Sequence, residues 1–203
     1  MRPKKEKKED MDPDAPLIEA INGGGMDLFP ELVRRYEQKL YNFGFRMCNN
    51  AQDAEDLVQE TFMNIFKSLN NFRFESKFTN WMYKIAARVC LKKRRKKTVA
   101  DEQNLSLEDL AARFRNQAPE ETPKWARQPI DRVLDSELAE IIKRTVALLP
   151  PRYRVVLVLR DMEELTTQET AQVLGISTAN VKVRLHRARL LLRDKLQGYM
   201  AHA

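Results

Sequence analysis

Apolar residues recur along this chain at three- and four-residue steps, and no stretch alternates with the period of two that a half-buried strand requires. Phe29, Leu32, Val33, Tyr36, Leu40 and Phe43 form one helical stripe. Val58, Phe62, Ile65, Phe66 and Leu69 form a second, with Asp53 placed to cap its helix. Met82, Ile85, Ala86 and Val89 form a third, in a helix beginning near Thr79. A short helix from Leu17 to Asn22, closed by Gly23-Gly24-Gly25, precedes them. Periodicity fades between Thr98 and Asp135 and returns with Leu134, Leu138, Ile141, Ile142 and Leu149. Pro150-Pro151 stops that helix, another runs from about Arg152 to Asp161, and two more are split by Gly175. No repeat of fixed period is present. The pattern predicts an all-α protein: two small helical domains, residues 17–97 and 134–203, on a tether over 98–133.

The segment Thr167-Gln168-Glu169-Thr170-Ala171-Gln172-Val173-Leu174-Gly175-Ile176-Ser177 and the Thr178-Ala179-Asn180-Val181 that follows have the spacing of a helix-turn-helix. Ala171 is small where two helices cross, Gly175 can take the positive φ of a tight turn, and Ser177 suits an N-cap. Ile176 and Val181 close the core between the two helices. Helical phase sends Val181, Leu185, Ala188 and Leu192 inward. It sends Lys182, His186, Arg189 and Arg193 outward, with Val183 and Arg187 beside them. Such a face fits the DNA major groove: Lys and Arg bond guanine acceptors, and Val183 can touch a thymine methyl. A charge run alone is commonly a solvated face; here it coincides with the Ala, Gly and Val spacing.

Charge adds a second nucleic-acid face. The 203 residues carry 36 Lys+Arg against 29 Asp+Glu, a net charge of +7. Between Trp81 and Lys97 stand Lys84, Arg88, Lys92, Lys93, Arg94, Arg95, Lys96 and Lys97 with no acid. Just before them, Phe72-Arg73-Phe74-Glu75-Ser76-Lys77-Phe78 interleaves aromatic with charged residues. Basic groups with aromatics suit single-stranded DNA, whose bases stack and whose phosphates need neutralising; core packing is the alternative for Phe72, Phe78 and Trp81. The helix carrying Asp53, Glu55, Asp56, Gln59 and Glu60 is acidic on one side, which suits a protein partner with a basic surface. The tether runs the other way, with eight acids and five bases over 98–135.

Other classes are excluded by what is missing. No apolar run approaches the ~20 residues of a membrane span. The start, Met1 to Lys8, has no apolar segment behind it and is no signal peptide. Residues 1–16, with five bases and five acids, predict a disordered tail. Cys48 and Cys90 make neither a disulfide framework nor a metal pair, and His186 has no ligating companion. The expectation is a soluble cytoplasmic protein without metal, cofactor or small-molecule substrate.

Three motifs in this order resemble the bacterial RNA polymerase sigma factors of the extracytoplasmic-function group, within the sigma-70 family. Asp53-Ala54-Glu55-Asp56-Leu57-Val58-Gln59-Glu60-Thr61-Phe62 resembles the segment that binds the polymerase β′ clamp helices. Phe72-Arg73 through Trp81-Met82-Tyr83-Lys84-Ile85-Ala86 resembles the part that opens and reads the −10 element. Leu149-Pro150 through Leu159-Arg160, then Ala171 to Arg189, resembles the domain that reads the −35 element. The resemblance implies that Asp53, Asp56, Gln59 and Glu60 contact core polymerase, whose β′ clamp and β subunits are the protein partners. It gives the −10 element Phe72, Arg73, Phe74, Ser76, Lys77, Phe78, Trp81, Lys84, Arg88 and Lys92, with a base flipped into the 72–78 loop. It gives the −35 duplex Thr178, Lys182, Val183, Arg184, His186, Arg187 and Arg189. It also implies that the acidic tether follows the path of nascent RNA, that an anti-sigma factor clamps the domains, and that the active protein is nucleoid-associated. Arg88 stands where many relatives carry Asn, and Val183 where many carry Ser or a similar residue.

Two other functions fit parts of the chain. An ordinary helix-turn-helix regulator would bind duplex operator alone, leaving the acidic helix and aromatic-basic segment unexplained. A DNA-processing enzyme would need an activated nucleophile or a metal-binding carboxylate cluster, and the acids at Asp53, Asp56 and Glu60 have no such companions.

Overall fold

The computed structural model describes residues 12–97 and 136–200. The tether and residues 1–11, with the expectations of an acidic linker and a disordered tail, lie outside the described residues. Within the described residues the chain is helical: α1 (Ala15–Asn22), α2 (Phe29–Cys48), α3 (Ala51–Ser68), α4 (Phe78–Lys97), α5 (Ser136–Ala147), α6 (Pro151–Leu157), α7 (Thr167–Leu174) and α8 (Thr178–Met200). Short 3-10 turns at Met26–Leu28 and Leu69–Asn71 and a π turn at Val158–Met162 connect them.

The stripes seen in sequence account for the core. Leu32, Leu40 and Phe43 of α2 meet Leu57, Phe62 and Ile65 of α3 and Met82, Ala86 and Val89 of α4, all buried. Helices α2 and α3 cross at Gly44, where a Cβ would lie 3.3 Å from the carbonyl oxygen of Ala54; the missing side chain permits the approach. Two expectations need correcting. The cap of α3 is Asn50, whose side-chain oxygen accepts the Asp53 N–H at 2.7 Å, because Asp53 is three residues inside the helix. Phe66 is 50% exposed: it sits at the edge of the stripe, its ring in a T-shaped contact with that of Phe29, centroid to centroid 5.0 Å.

The two halves are packed together around one continuous core cluster. α2 meets α5 and α6, and α4 meets α7. Among the described residues, polar ties made by Glu163, Asn80 and Arg154 cross this boundary. Glu163, its side chain only 2% exposed, accepts from Arg46 at 2.8 Å and from the Tyr83 hydroxyl. Asn80 donates to Glu169 at 3.0 Å. Arg154, buried in α6, donates to the carbonyl of Met47 at the end of α2 at 2.6 Å. It also donates to Leu149 and Ala147 at the end of α5. One guanidinium thus serves carbonyls at the C-terminal ends of two helices, where backbone acceptors commonly look outside the helix for a donor.

Residues 12–16 belong to the fold: Asp14 is buried, and Asp12 and Asp14 both bond to the first half. Charge balance placed them in the tail because it cannot see specific partners.

Candidate nucleic-acid interface

The helix-turn-helix is built by capping. Thr166 and Glu169 form a reciprocal box at the start of α7, with Glu169 N–H to the Thr166 hydroxyl at 3.2 Å and Thr166 N–H to the Glu169 carboxylate at 2.8 Å. Burial works to raise the Glu169 carboxyl, but the bonds from Asn80 and Thr166 outweigh it and hold the group below its ordinary value. Gly175 ends α7 at φ +65, a left-handed conformation that suits glycine, and Ile176 N–H returns to the Ala171 carbonyl at 3.1 Å. Ser177 then caps α8, its hydroxyl accepting the Asn180 N–H at 3.2 Å.

With the turn fixed, α8 buries Val181, Leu185 and Ala188 and exposes Thr178, Lys182, Val183, His186, Arg187 and Arg189. Val183 is 50% exposed, a large apolar side chain among charged ones. Arg184 is half-buried and donates to the Asn180 side-chain oxygen at 2.9 Å. Arg189 is clasped by Asp161 through two bonds of 2.9 and 2.7 Å, which hold its guanidinium toward the π turn. Arg187 reaches the Tyr153 hydroxyl at 3.5 Å. Burial would push that phenol up, and Arg187 and Arg152 together carry it below its ordinary value.

In the first half, the structure separates the aromatic segment into two groups. Phe72 and Phe78 are buried, their rings 5.8 Å apart, and each packs on Trp81, at 5.2 and 5.9 Å. They are the floor of the loop rather than its surface. Arg73, Phe74 and Lys77 are exposed, and Ser76, Trp81 and Lys84 are half-buried. Phe74 stands at φ 58, a left-handed conformation that costs a bulky residue on the order of 1 kcal/mol or more, and is 39% exposed with its ring against Phe72. Arg88 and Lys92 follow along α4, both exposed. A cleft of about 330 Å³ opens between this segment and α7. Arg73, Trp81, Lys84 and Asn80 line one wall, Gln172 and Val173 the other.

On α3, Asp56 and Gln59 are exposed and Asp53 and Glu60 half-buried. The same face continues into Met63, 58% exposed, and Phe66, at the three- and four-residue spacing that shares one helix side. Sequence reasoning passed over Met63, for a lone methionine in an amphipathic helix carries no signal of exposure. It also passed over Glu163 and Asn80, whose partners are distant in the chain. The described residues contain no group of three or more His, Cys, Asp or Glu able to hold a metal ion, and no helix among them is long and apolar enough to cross a membrane.

Comparison with known proteins identifies the family. The family model for sigma-70 region 2 matches residues 32–99, and that for sigma-70 region 4 matches residues 139–192. The chain is 32% identical over 183 residues to the ECF RNA polymerase sigma factor SigW of Bacillus subtilis, covering 89% of this chain and 95% of that protein. Its fold is similar to that of CnrH in complex with the cytosolic domain of CnrY, with a TM-score of 0.63 and 24% identity, covering 91% of this chain and 97% of the other. It is also similar to the sigma factor RpoE solved with the anti-sigma factor NepR from Bartonella quintana, with a TM-score of 0.62 and 19% identity over 83% of this chain and 96% of the other.

Proposed function

The chain belongs to the extracytoplasmic-function group of RNA polymerase sigma factors, and from that membership we propose how its faces divide the work of a promoter-specificity subunit. It binds core RNA polymerase and directs initiation at promoters carrying the −10 and −35 elements it recognises. The protein performs no chemistry of its own; it works in the cytoplasm, at the nucleoid when active, and holds DNA where the polymerase can act. An ordinary helix-turn-helix regulator would not account for the region 2 match over residues 32–99.

For the −35 element, α8 lies in the major groove. Lys182, Arg187 and His186 meet base edges or phosphates, Val183 offers an apolar contact to thymine, and Thr178 approaches the backbone at the helix start. Arg184 steadies the helix through Asn180, and Arg189 reaches phosphate only by releasing Asp161. For the −10 element, Arg73, Phe74, Ser76, Lys77 and Trp81 capture the melted strand. Lys84, Arg88 and Lys92 neutralise its phosphates along α4. Phe72 and Phe78 support the loop from beneath. Flipping a base costs a few kcal/mol, which stacking and hydrogen bonding in such a loop can offset.

Core polymerase takes the α3 face. Its first half is polar and acidic, at Asp53, Asp56, Gln59 and Glu60, and suits a basic surface on the clamp; Met63 and Phe66 add apolar area at the other end. An anti-sigma factor is the expected antagonist, as one accompanies the similarly folded RpoE.

The observation that carries this division is α8, whose exposed Lys182, Val183, His186 and Arg187 stand opposite buried Val181, Leu185 and Ala188 behind a fully capped turn. Arg187→Ala tests it. If Arg187 contacts a base, −35 binding by the holoenzyme weakens by ~1–3 kcal/mol and discrimination at one position relaxes. An equal loss on every sequence assigns Arg187 to phosphate, and no loss removes it from the interface.

A further inference from the structure

The loop over residues 72–78 needs both ends held if its exposed side chains are to meet a strand in one geometry. Its first end is held locally: Phe72 N–H bonds the Leu69 carbonyl at 2.9 Å and the Phe72 ring is buried. Its second end is the start of α4, and there the local sequence supplies no cap. The residue before the helix is Lys77, which has no acceptor oxygen in its side chain, and the Ser76 hydroxyl faces the Lys77 carbonyl at 3.5 Å. The Phe78 N–H, at the first position of α4, instead donates to the carboxylate of Asp12, 66 residues away in sequence.

Asp12 is itself fixed. Its other oxygen accepts the Asp14 N–H at 3.0 Å. Asp14 is buried and accepts from Arg35 at 2.9 Å and from the Tyr36 hydroxyl. Burial and the Asp14 carboxylate push the Tyr36 phenol well above its ordinary value, so it remains a donor. The Tyr36 ring lies 5.1 Å from that of Phe78, and Phe78 packs on Phe72 and Trp81. Two aspartates ahead of the first helix thus hold the loop twice, through the backbone at Phe78 and through the aromatic floor by way of Tyr36. A carboxylate is also the group best suited to the positive end of a helix.

We propose that Asp12 and Asp14 are positioning residues for capture of the melted −10 strand. They set the take-off of α4, and so the place of Arg73, Phe74 and Lys77, without touching DNA. This rests on the assignment of the 72–78 loop to the −10 element.

The test uses the full chain and its holoenzyme, with two readouts. The first is hydrogen exchange at the amides of residues 78–82. The second is affinity for a labelled single strand carrying the non-template −10 segment of a promoter the holoenzyme transcribes, set against affinity for the matching −35 duplex. Asp12→Ala is expected to speed exchange at residues 78–82 and weaken strand capture about five-fold, the order set by loss of one helix N-cap. Core binding and −35 affinity should stay within about two-fold. Asp12→Asn keeps one acceptor oxygen where the carboxylate offers two, so it should recover only part of both readouts; Asp14→Asn likewise keeps an acceptor for one of Arg35 and Tyr36 and should also fall between. Unchanged exchange overturns the cap. Faster exchange with unchanged capture, or a parallel loss on both DNA elements, overturns the positioning role. A wild-type holoenzyme that captures no strand contradicts the −10 assignment itself, and with it the role given to Asp12 and Asp14, leaving only the cap that exchange reports.

Discussion

Glu169 shows how one side chain can serve local and distant structure at once. It closes the capping box with Thr166 and accepts from Asn80 across the boundary between the halves. Its carboxyl is held below the ordinary value of 4.5. A carboxyl lowered in the folded state contributes stability that is complete above its unfolded value and is lost as pH falls through the folded one. Glu169→Gln should therefore cost about 0.5–1 kcal/mol at pH 7, a modest figure because the pair is partly solvated. The gap to wild type should close as pH drops below 4.5, as followed by denaturant titrations across pH; a gap constant down to pH 3 would contradict the role given to the charge. At this scale the sequence was informative wherever an interaction is local. The Ser177 cap, the Gly175 turn and the sorting of α8 into Val181 and Leu185 against Lys182 and His186 all follow from spacing within a few residues. Asp53 misled because two good capping residues, Asn50 and Asp53, stand three apart, and only backbone geometry tells cap from first turn.

Among the elements, α6 was legible as a helix but not as a junction. Tyr153-Arg154-Val155-Val156-Leu157 is an apolar run with one charge inside it, and that charge was the available signal. Arg154 is buried and bonds carbonyls of Met47, Ala147 and Leu149. Arg154→Met should lower stability by about 3 kcal/mol or more, for it leaves several buried carbonyls without donors. Lys at this position should recover little, since one ammonium cannot span the fork. Thermal unfolding of the two variants checks this, and a Lys variant as stable as wild type would contradict it. The stripe on α3 marks the same limit: periodicity finds a buried side, but whether its edge at Phe66 is covered depends on a neighbour that spacing does not reveal.

For the whole molecule, the all-helical class and the two-part organisation were readable from periodicity and its interruption over 98–135. The packing of the halves against each other was not, since Glu163 meets Arg46 and Tyr83 from 117 and 80 residues away. Glu163→Ala removes a buried acceptor from Arg46 and Tyr83, a kind of loss worth about 3 kcal/mol when a buried pair is broken. Small-angle scattering should show the free variant more extended than wild type, with each half still helical by circular dichroism. An unchanged profile would show that the remaining contacts, apolar and polar, hold the halves without Glu163.

The central claim is that this chain gives core polymerase its promoter choice, and run-off transcription tests it most directly. Purified core polymerase would be supplied with a pool of genomic promoter fragments, with and without the protein. New transcripts that depend on the protein, and whose upstream regions share a −10 and a −35 element, are the predicted result. No new transcript, together with no co-elution of the protein with core polymerase, would contradict it.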